Sequence, residues 1–181
     1  SIVLVIVPIQ DDSCPDSRGI GDVNAARLSS ALLQKLEAKE RLSPSVANYS
    51  TMFMSFYKNQ VDTFRRSYKG IAKIGTVDYM QGDQADDVVL SLGRSTGMGW
   101  MANPARLNVA LSRARRRIVI IMPSCCIDVL TYMQSSALQF FLSIIHVMDQ
   151  LGGVVDLRPA QSGDALQQIL RCLEQPNCLP A

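Results

Sequence analysis

The chain has 181 residues, 48% of them apolar and 19% charged, which suits one ordinary α/β domain with a real core. That composition excludes a disordered tail, a collagen-like fibre and a coiled coil. The formal net charge is only +2, yet residues 65–117 hold ten basic side chains against four acids, whereas residues 118–181 hold two against five. Basic charge confined to one stretch points to a site that handles an anion.

The apolar opening Ile2–Val7 stops at Pro8. It is too short for a membrane helix and lacks the basic flank of a signal peptide, so it reads as a buried strand. A chain that starts on a core strand without Met is expected to have been cut from a longer protein. A polar loop over 9–22 follows. Val23, Ala26, Leu28, Leu32, Leu33 and Leu36 then share one face, which predicts an amphipathic helix over 23–39 with Asp22 as N-cap.

Ser43-Pro44-Ser45 breaks the chain. Beyond it the pattern predicts a strand over Tyr49–Phe56, a short helix over 58–67, and a strand over Ile71–Val77. A fourth strand, Asp87–Leu92, has a continuous apolar run suited to burial on both faces. Asn103-Pro104 opens a helix with a good cap and a proline in the first turn, and Leu107, Ala110, Leu111 and Ala114 form its apolar stripe. Ile118–Met122, ended by Pro123, predicts a fifth strand. Strand and helix alternate, so a mostly parallel sheet flanked by helices is expected. Apolar helices over 125–148 and an amphipathic helix over 163–174 complete the reading. The expected division is an α/β domain over 1–123 and a helical C-terminal extension over 124–181.

Five cysteines with no Cys-x-x-Cys pair, and a single His146, give no basis for a structural zinc site and favour a reducing, intracellular compartment. Met52, Met54, Met80, Met98, Met101 and Met122 are scattered and read as core filling. Trp100 suits either base stacking or a buried anchor. Gln134, Gln139 and His146 interrupt the 125–148 stretch, which argues for packing or a partner surface rather than a membrane anchor.

Three constellations carry chemistry. In Thr76-Val-Asp-Tyr-Met-Gln-Gly-Asp-Gln-Ala-Asp-Asp87, Gly82 is free to adopt a positive φ and let a backbone N–H approach a phosphate. Loops beyond the carboxyl ends of parallel strands are the expected ligand position. In Asn103–Arg117, helical spacing puts Arg113 beside one edge of the apolar stripe and Arg115 beside the other, so the Arg113 guanidinium emerges where helix meets sheet and can neutralise a transferring phosphoryl group. Arg116 and Arg117 read as a solvated basic face of the same helix. In Ser55-Phe-Tyr-Lys-Asn-Gln60, the Gln amide is able to meet a base edge or a nucleotide hydroxyl. Taken singly, a polar connection, a basic helix face and a surface Gln explain each of these.

Their order is more specific. Thr76-Val-Asp-x-x-Gln-Gly, a short strand ending in Ser91, and Arg106-Leu-Asn-Val-Ala-Leu-Ser-Arg-Ala-Arg115 followed by a buried strand resemble motifs V and VI of superfamily 1 helicases. The wording is similar to that of the nonsense-mediated-decay helicase-like class, TVDxxQGxExD and LNVALTRAR. Ser55–Gln60 resembles that class's motif IV, TPYxxQ, with Ser for Thr and Phe for Pro. The resemblance covers about residues 1–123. It implies the second of two RecA-like domains, a three-layer α/β fold with C-terminal helices. ATP and Mg2+ would be bound mainly by a first RecA-like domain of the same chain, and single-stranded RNA or DNA would be the partner.

By the same resemblance Arg113 matches the arginine finger, and Gln81, Gly82 and Gln84 match positions near the phosphates and ribose. Thr76, Tyr57, Lys58 and Gln60 become candidate strand contacts. Gln84 stands where the class usually has Glu. No G-x-x-x-x-G-K-[ST] occurs, so the P-loop that cradles ATP, like the QYRM element, is missing from these residues, and no activity is expected of them alone. A rival reading is a degenerate, non-catalytic module that binds nucleic acid or protein. A third, an unrelated phosphate-binding enzyme, lacks any Ser-His or Cys-His arrangement to support it.

Overall fold

The computed structural model describes residues 2–7, 22–93, 103–124, 136–150, 153–157 and 165–174. Strands β1 (Ile2–Val7), β2 (Thr51–Ser55), β3 (Lys73–Thr76), β4 (Ala85–Ser91), β5 (Ala114–Pro123) and β6 (Val154–Asp156) form one sheet in the order β3-β2-β4-β5-β1-β6. Every neighbouring pair runs parallel. The described helices are α1 (Val23–Leu42), α2 (Lys58–Ser67), α3 (Pro104–Leu111), α4 (Ser136–Gln150) and α5 (Ala165–Glu174).

The sheet is sandwiched. Successive side chains of a strand face opposite ways, so each strand contributes to two cores. Leu4, Met52, Met54, Val88, Leu90, Ile118 and Ile120 pack with Leu107 and Ala110 of α3 and Met148 of α4. Val3, Val5, Phe53, Val89, Val119 and Ile121 pack on the other face with α1, α2 and α5. This double burial is why the strands read as near-continuous Val, Ile and Leu rather than as alternating patterns. Phe53 of β2 stacks on Phe64 of α2 with ring centroids 3.7 Å apart, fixing that helix against its strand. The expected three-layer α/β arrangement is therefore present.

Local signals behave as their chemistry demands. The Asp22 carboxylate accepts the Ala25 N–H at 2.9 Å, and the Asn103 side chain accepts the Ala105 N–H at 3.0 Å with Pro104 in the first turn. Helix α1 runs on to Leu42, since Lys39 and Arg41 suit its C-terminus and no breaker precedes Pro44. Met52, Met54, Met80 and Met122 are buried.

Two expectations need correction. Helix α3 ends at Leu111 and β5 already begins at Ala114, so Arg115, Arg116 and Arg117 lie on a strand and not on a helix. The stretch after 124 is not purely helical, because β6 joins the sheet beside β1, pairing Leu4 with Val154 and Ile6 with Asp156. Three strand residues are too few to leave a periodic signature in sequence. Trp100, Met98, Met101, the 9–21 loop, the 125–135 part of the apolar helices and Cys14, Cys125, Cys126 and Cys178 lie outside the described residues. Among the described residues no helix is long and apolar enough to cross a membrane, and no cluster of metal-ligating side chains occurs.

Candidate nucleotide and nucleic-acid site

The two ends of the sheet carry different residues. At the carboxyl ends, β2 finishes at Ser55 and β3 at Thr76, and the Val77 N–H donates to the Ser55 carbonyl at 3.0 Å. That bond sets the start of α2, with Tyr57 half-buried and Lys58 exposed, beside the turn that follows β3. Three of the four candidate strand contacts, Thr76, Tyr57 and Lys58, are thereby brought together. Gln60 is not among them. Its side chain is wholly buried, donating to the Asp22 carbonyl at 3.1 Å and to Ser91 Oγ at 3.0 Å. Its Oε1 has no hydrogen-bond partner among the described residues. Gln60 braces the tip of β4 against the start of α1, so the surface role expected of it is corrected.

The segment from Val77 to Gln84 then crosses back along the sheet. Both β3 and β4 run parallel to β2, so a chain leaving the carboxyl end of β3 must return to the amino end before β4 begins. Gly82 takes the positive φ expected of it, +91°, with open space where a side chain would project. The expectation that Gly82 and Gln84 gather at the carboxyl ends is corrected by this return: Gln84 immediately precedes the first residue of β4 at the amino end.

Arg113 lies at the same end. It occupies the turn between α3 and β5 and not a helical edge, because Ser112 caps α3 by donating its N–H to Asn108 O at 3.0 Å. The guanidinium is half-buried and anchored by three bonds. Nε donates to Val109 O at 2.9 Å, Nη1 to Asp83 O at 3.2 Å, and Nη2 to Ser112 Oγ at 2.9 Å. Gln84 Nε2 reaches Ser112 O at 3.5 Å. Arg106, near the start of α3, pairs with Asp78 at 3.3 Å. The 76–84 segment and the α3 region are thus tied at both ends, and Gly82, Gln84 and Arg113 converge as a set of hydrogen-bond donors suited to an anion. Gln81 is exposed on the same segment.

Sequence reasoning missed a second cluster directly beside this set. Asp86 and Asp87 are buried at the start of β4. Arg117 Nε donates to Asp87 Oδ1 at 2.6 Å, its Nη2 donates to Asp87 Oδ2, and the Tyr49 hydroxyl donates to the same oxygen. Burial and the Asp87 carboxylate push the Tyr49 hydroxyl far above its ordinary range, while Asp87 raises Arg117. Arg115 pairs with Asp86 at 3.4 Å. Burial alone would raise Asp86, but the Ser50 N–H and hydroxyl together with Arg115 hold it below the usual carboxylate value. Arg116 sits 3.9 Å from Glu40. The reading of Arg116 and Arg117 as a solvated helix face is therefore corrected. The available signal was the adjacent Asp86-Asp87 pair inside an apolar strand, since buried acids require partners of opposite charge.

A model of the AAA domain family matches residues 16–124. The chain belongs to that family. It is a superfamily 1 helicase-like AAA domain, and the matched residues include both ends of the site just described. The Regulator of nonsense transcripts 1 homolog of Neurospora crassa is 42% identical over 62 residues, covering 33% of this chain and 6% of that protein. ATP-dependent helicase upf1 of Schizosaccharomyces pombe is 32% identical over 71 residues, covering 38% and 8%. The DNA-binding protein SMUBP-2 of Rattus norvegicus is 25% identical over 169 residues, covering 90% and 16%. The chain thus spans less than a fifth of the length of each of these relatives. In this AAA domain α4, β6 and α5 lie beyond the family match.

Proposed function

We propose that this chain is the second RecA-like half of an ATP-dependent motor that moves along single-stranded RNA or DNA, and that Arg113 is its arginine finger. The observation that carries the reading is the convergence of Arg113 with Gln84 and the Gly82-Asp83 turn at the amino end of the sheet, Arg113 bonding Asp83 O and Ser112 Oγ and Gln84 bonding Ser112 O. ATP with Mg2+, held mainly by a first RecA-like domain of the same polypeptide, would close the cleft when bound and supply the phosphoryl group that is transferred to water.

The residues present fit that group. Gly82 leaves its backbone open, Gln84 offers an amide to a ribose hydroxyl, and Arg113 offers a planar fork of donors to phosphate oxygens. To reach an oxygen across the cleft, Arg113 exchanges its bonds to Asp83 O and Ser112 Oγ while the Nε bond to Val109 O keeps the side chain aligned. It then stabilises charge that develops only in the transition state. Thr76, Tyr57 and Lys58 would contact the strand at the carboxyl end, chiefly through its phosphates, with little sequence readout. The isolated chain, lacking a P-loop, should turn over no ATP.

A second reading is a non-catalytic module, favoured by the uncharged Gln84. The two separate in the full-length parent. Arg113→Ala should reduce strand-stimulated ATP turnover by about 10³-fold with strand affinity nearly unchanged, and Arg113→Lys should rescue poorly. Arg66→Ala, an exposed cation on α2, is the control and should change turnover little. Equal, small effects from both would favour the non-catalytic module.

A further inference from the structure

Among the residues whose side chains the structure describes, Tyr79 is the one aromatic left largely in solvent, 72% exposed. It is not on a loose loop. Its N–H donates to Thr76 Oγ1 at 3.3 Å, the preceding Asp78 is paired with Arg106, and the following Met80 is wholly buried and donates its N–H to Thr76 O at 3.0 Å. The ring itself lies against Gly75, where a Cβ would come within 2.8 Å of Tyr79 Cδ1. A glycine on the edge strand therefore makes room for one side of the ring. The turn holds the ring in place while most of its surface stays in water.

A tyrosine ring pinned on one side and open on the other presents a rigid π-face with a polar tip, a form suited to a contact that is apolar on one side and wet on the other. A protein partner is a poor match, because the neighbours Asp78, Gln81, Gly82 and Asp83 make no apolar patch around the ring. A nucleobase is a good one. Every base has a π-face, stacking is sequence-tolerant, and Lys58 stands exposed on the adjoining start of α2 to meet backbone phosphate. We infer that Tyr79 is a stacking platform for one base of a bound single strand, setting that base beside Thr76. The inference rests on the nucleic-acid reading above and adds to it a contact that the motif resemblance does not supply.

The test is fluorescence anisotropy at low salt with the full-length parent, comparing a labelled oligothymidylate with an abasic strand of the same length. Tyr79→Ala should weaken binding to the base-bearing strand about tenfold and leave abasic binding unchanged. Tyr79→Phe should stay within about twofold of the parent, and Tyr79→Leu, which still covers Gly75, should behave as Ala does. Equal losses on both strands, no loss on either, or rescue by Leu would overturn stacking while leaving the motor reading standing. If the unsubstituted full-length parent binds neither strand, the nucleic-acid reading falls and takes the platform with it.

Discussion

Replacing Arg117 by Ala strips the charge partner from a carboxylate that water does not reach. Asp87 has 2% of its side chain exposed and Arg117 17%, and the pair is bidentate, with the Tyr49 hydroxyl adding a third bond. The substitution leaves Asp87 with Tyr49 alone, and removing one partner of such a buried pair costs about 3–5 kcal/mol. A domain of this kind has ~5–15 kcal/mol in total, so about a fifth or more of its stability is at stake. With a urea slope of about 2 kcal/mol/M, the unfolding midpoint should fall by roughly 1.5–2.5 M. The assay is urea unfolding of the purified chain followed by circular dichroism. Arg117→Lys should recover only part of the loss, because an ammonium cannot make the bidentate contact. The double replacement Asp87→Leu with Arg117→Met should lie within about 1 kcal/mol of the parent or above it, since well-packed apolar pairs substitute for buried ion pairs. A loss below about 1 kcal/mol for Arg117→Ala would mean that the pair is worth no more than a surface ion pair, and the burial argument would be wrong.

Two further substitutions probe the local rules. Gly82→Ala places a side chain at φ +91° where nothing lies nearby, so the cost is backbone strain alone, about 1 kcal/mol by urea unfolding; a neutral result would refute the need for glycine. Burial raises the Asp22 carboxyl above its ordinary value of 3.8, opposed by the Ala25 and Asn24 N–H groups. A raised folded-state value means that ionising Asp22 costs stability, a cost complete at neutral pH and absent below 3.8. Asp22→Asn keeps a cap acceptor and should therefore be more stable than the parent at pH 7, with the gap closing as thermal unfolding is followed into acid. A less stable variant at pH 7 would reverse the sign of the argument.

Legibility in the sequence followed the range of the interaction. Asp22 and Asn103-Pro104 were readable because a cap is a contact made within three residues. The fate of Arg115–Arg117 was not, since the apolar stripe of α3 continues through Ala114 and arginine is at home in helix or strand. What decides the matter is Asp86 and Asp87, some thirty residues away, which draw the arginines into register on β5. Gln60 escaped for the same reason, its partners being Asp22 and Ser91. Motif order located Gly82, Gln84 and Arg113, but their common end of the sheet followed only from the direction of β4.

The position of β1 has a consequence for synthesis. Its neighbours are β5 and β6 alone, with Ile2 opposite Ile118 and Leu4 opposite Val154. A ribosome adding ~5–20 residues per second takes roughly 5–20 s to deliver the first of those partners after β1 itself is made. Throughout that interval a wholly apolar six-residue segment has no sheet to join, while β2, β3 and β4 are already available to pair with one another. Within this domain Ile2–Val7 is therefore the strand that waits longest for its sheet partners, and the one that most needs shelter while the rest is being made.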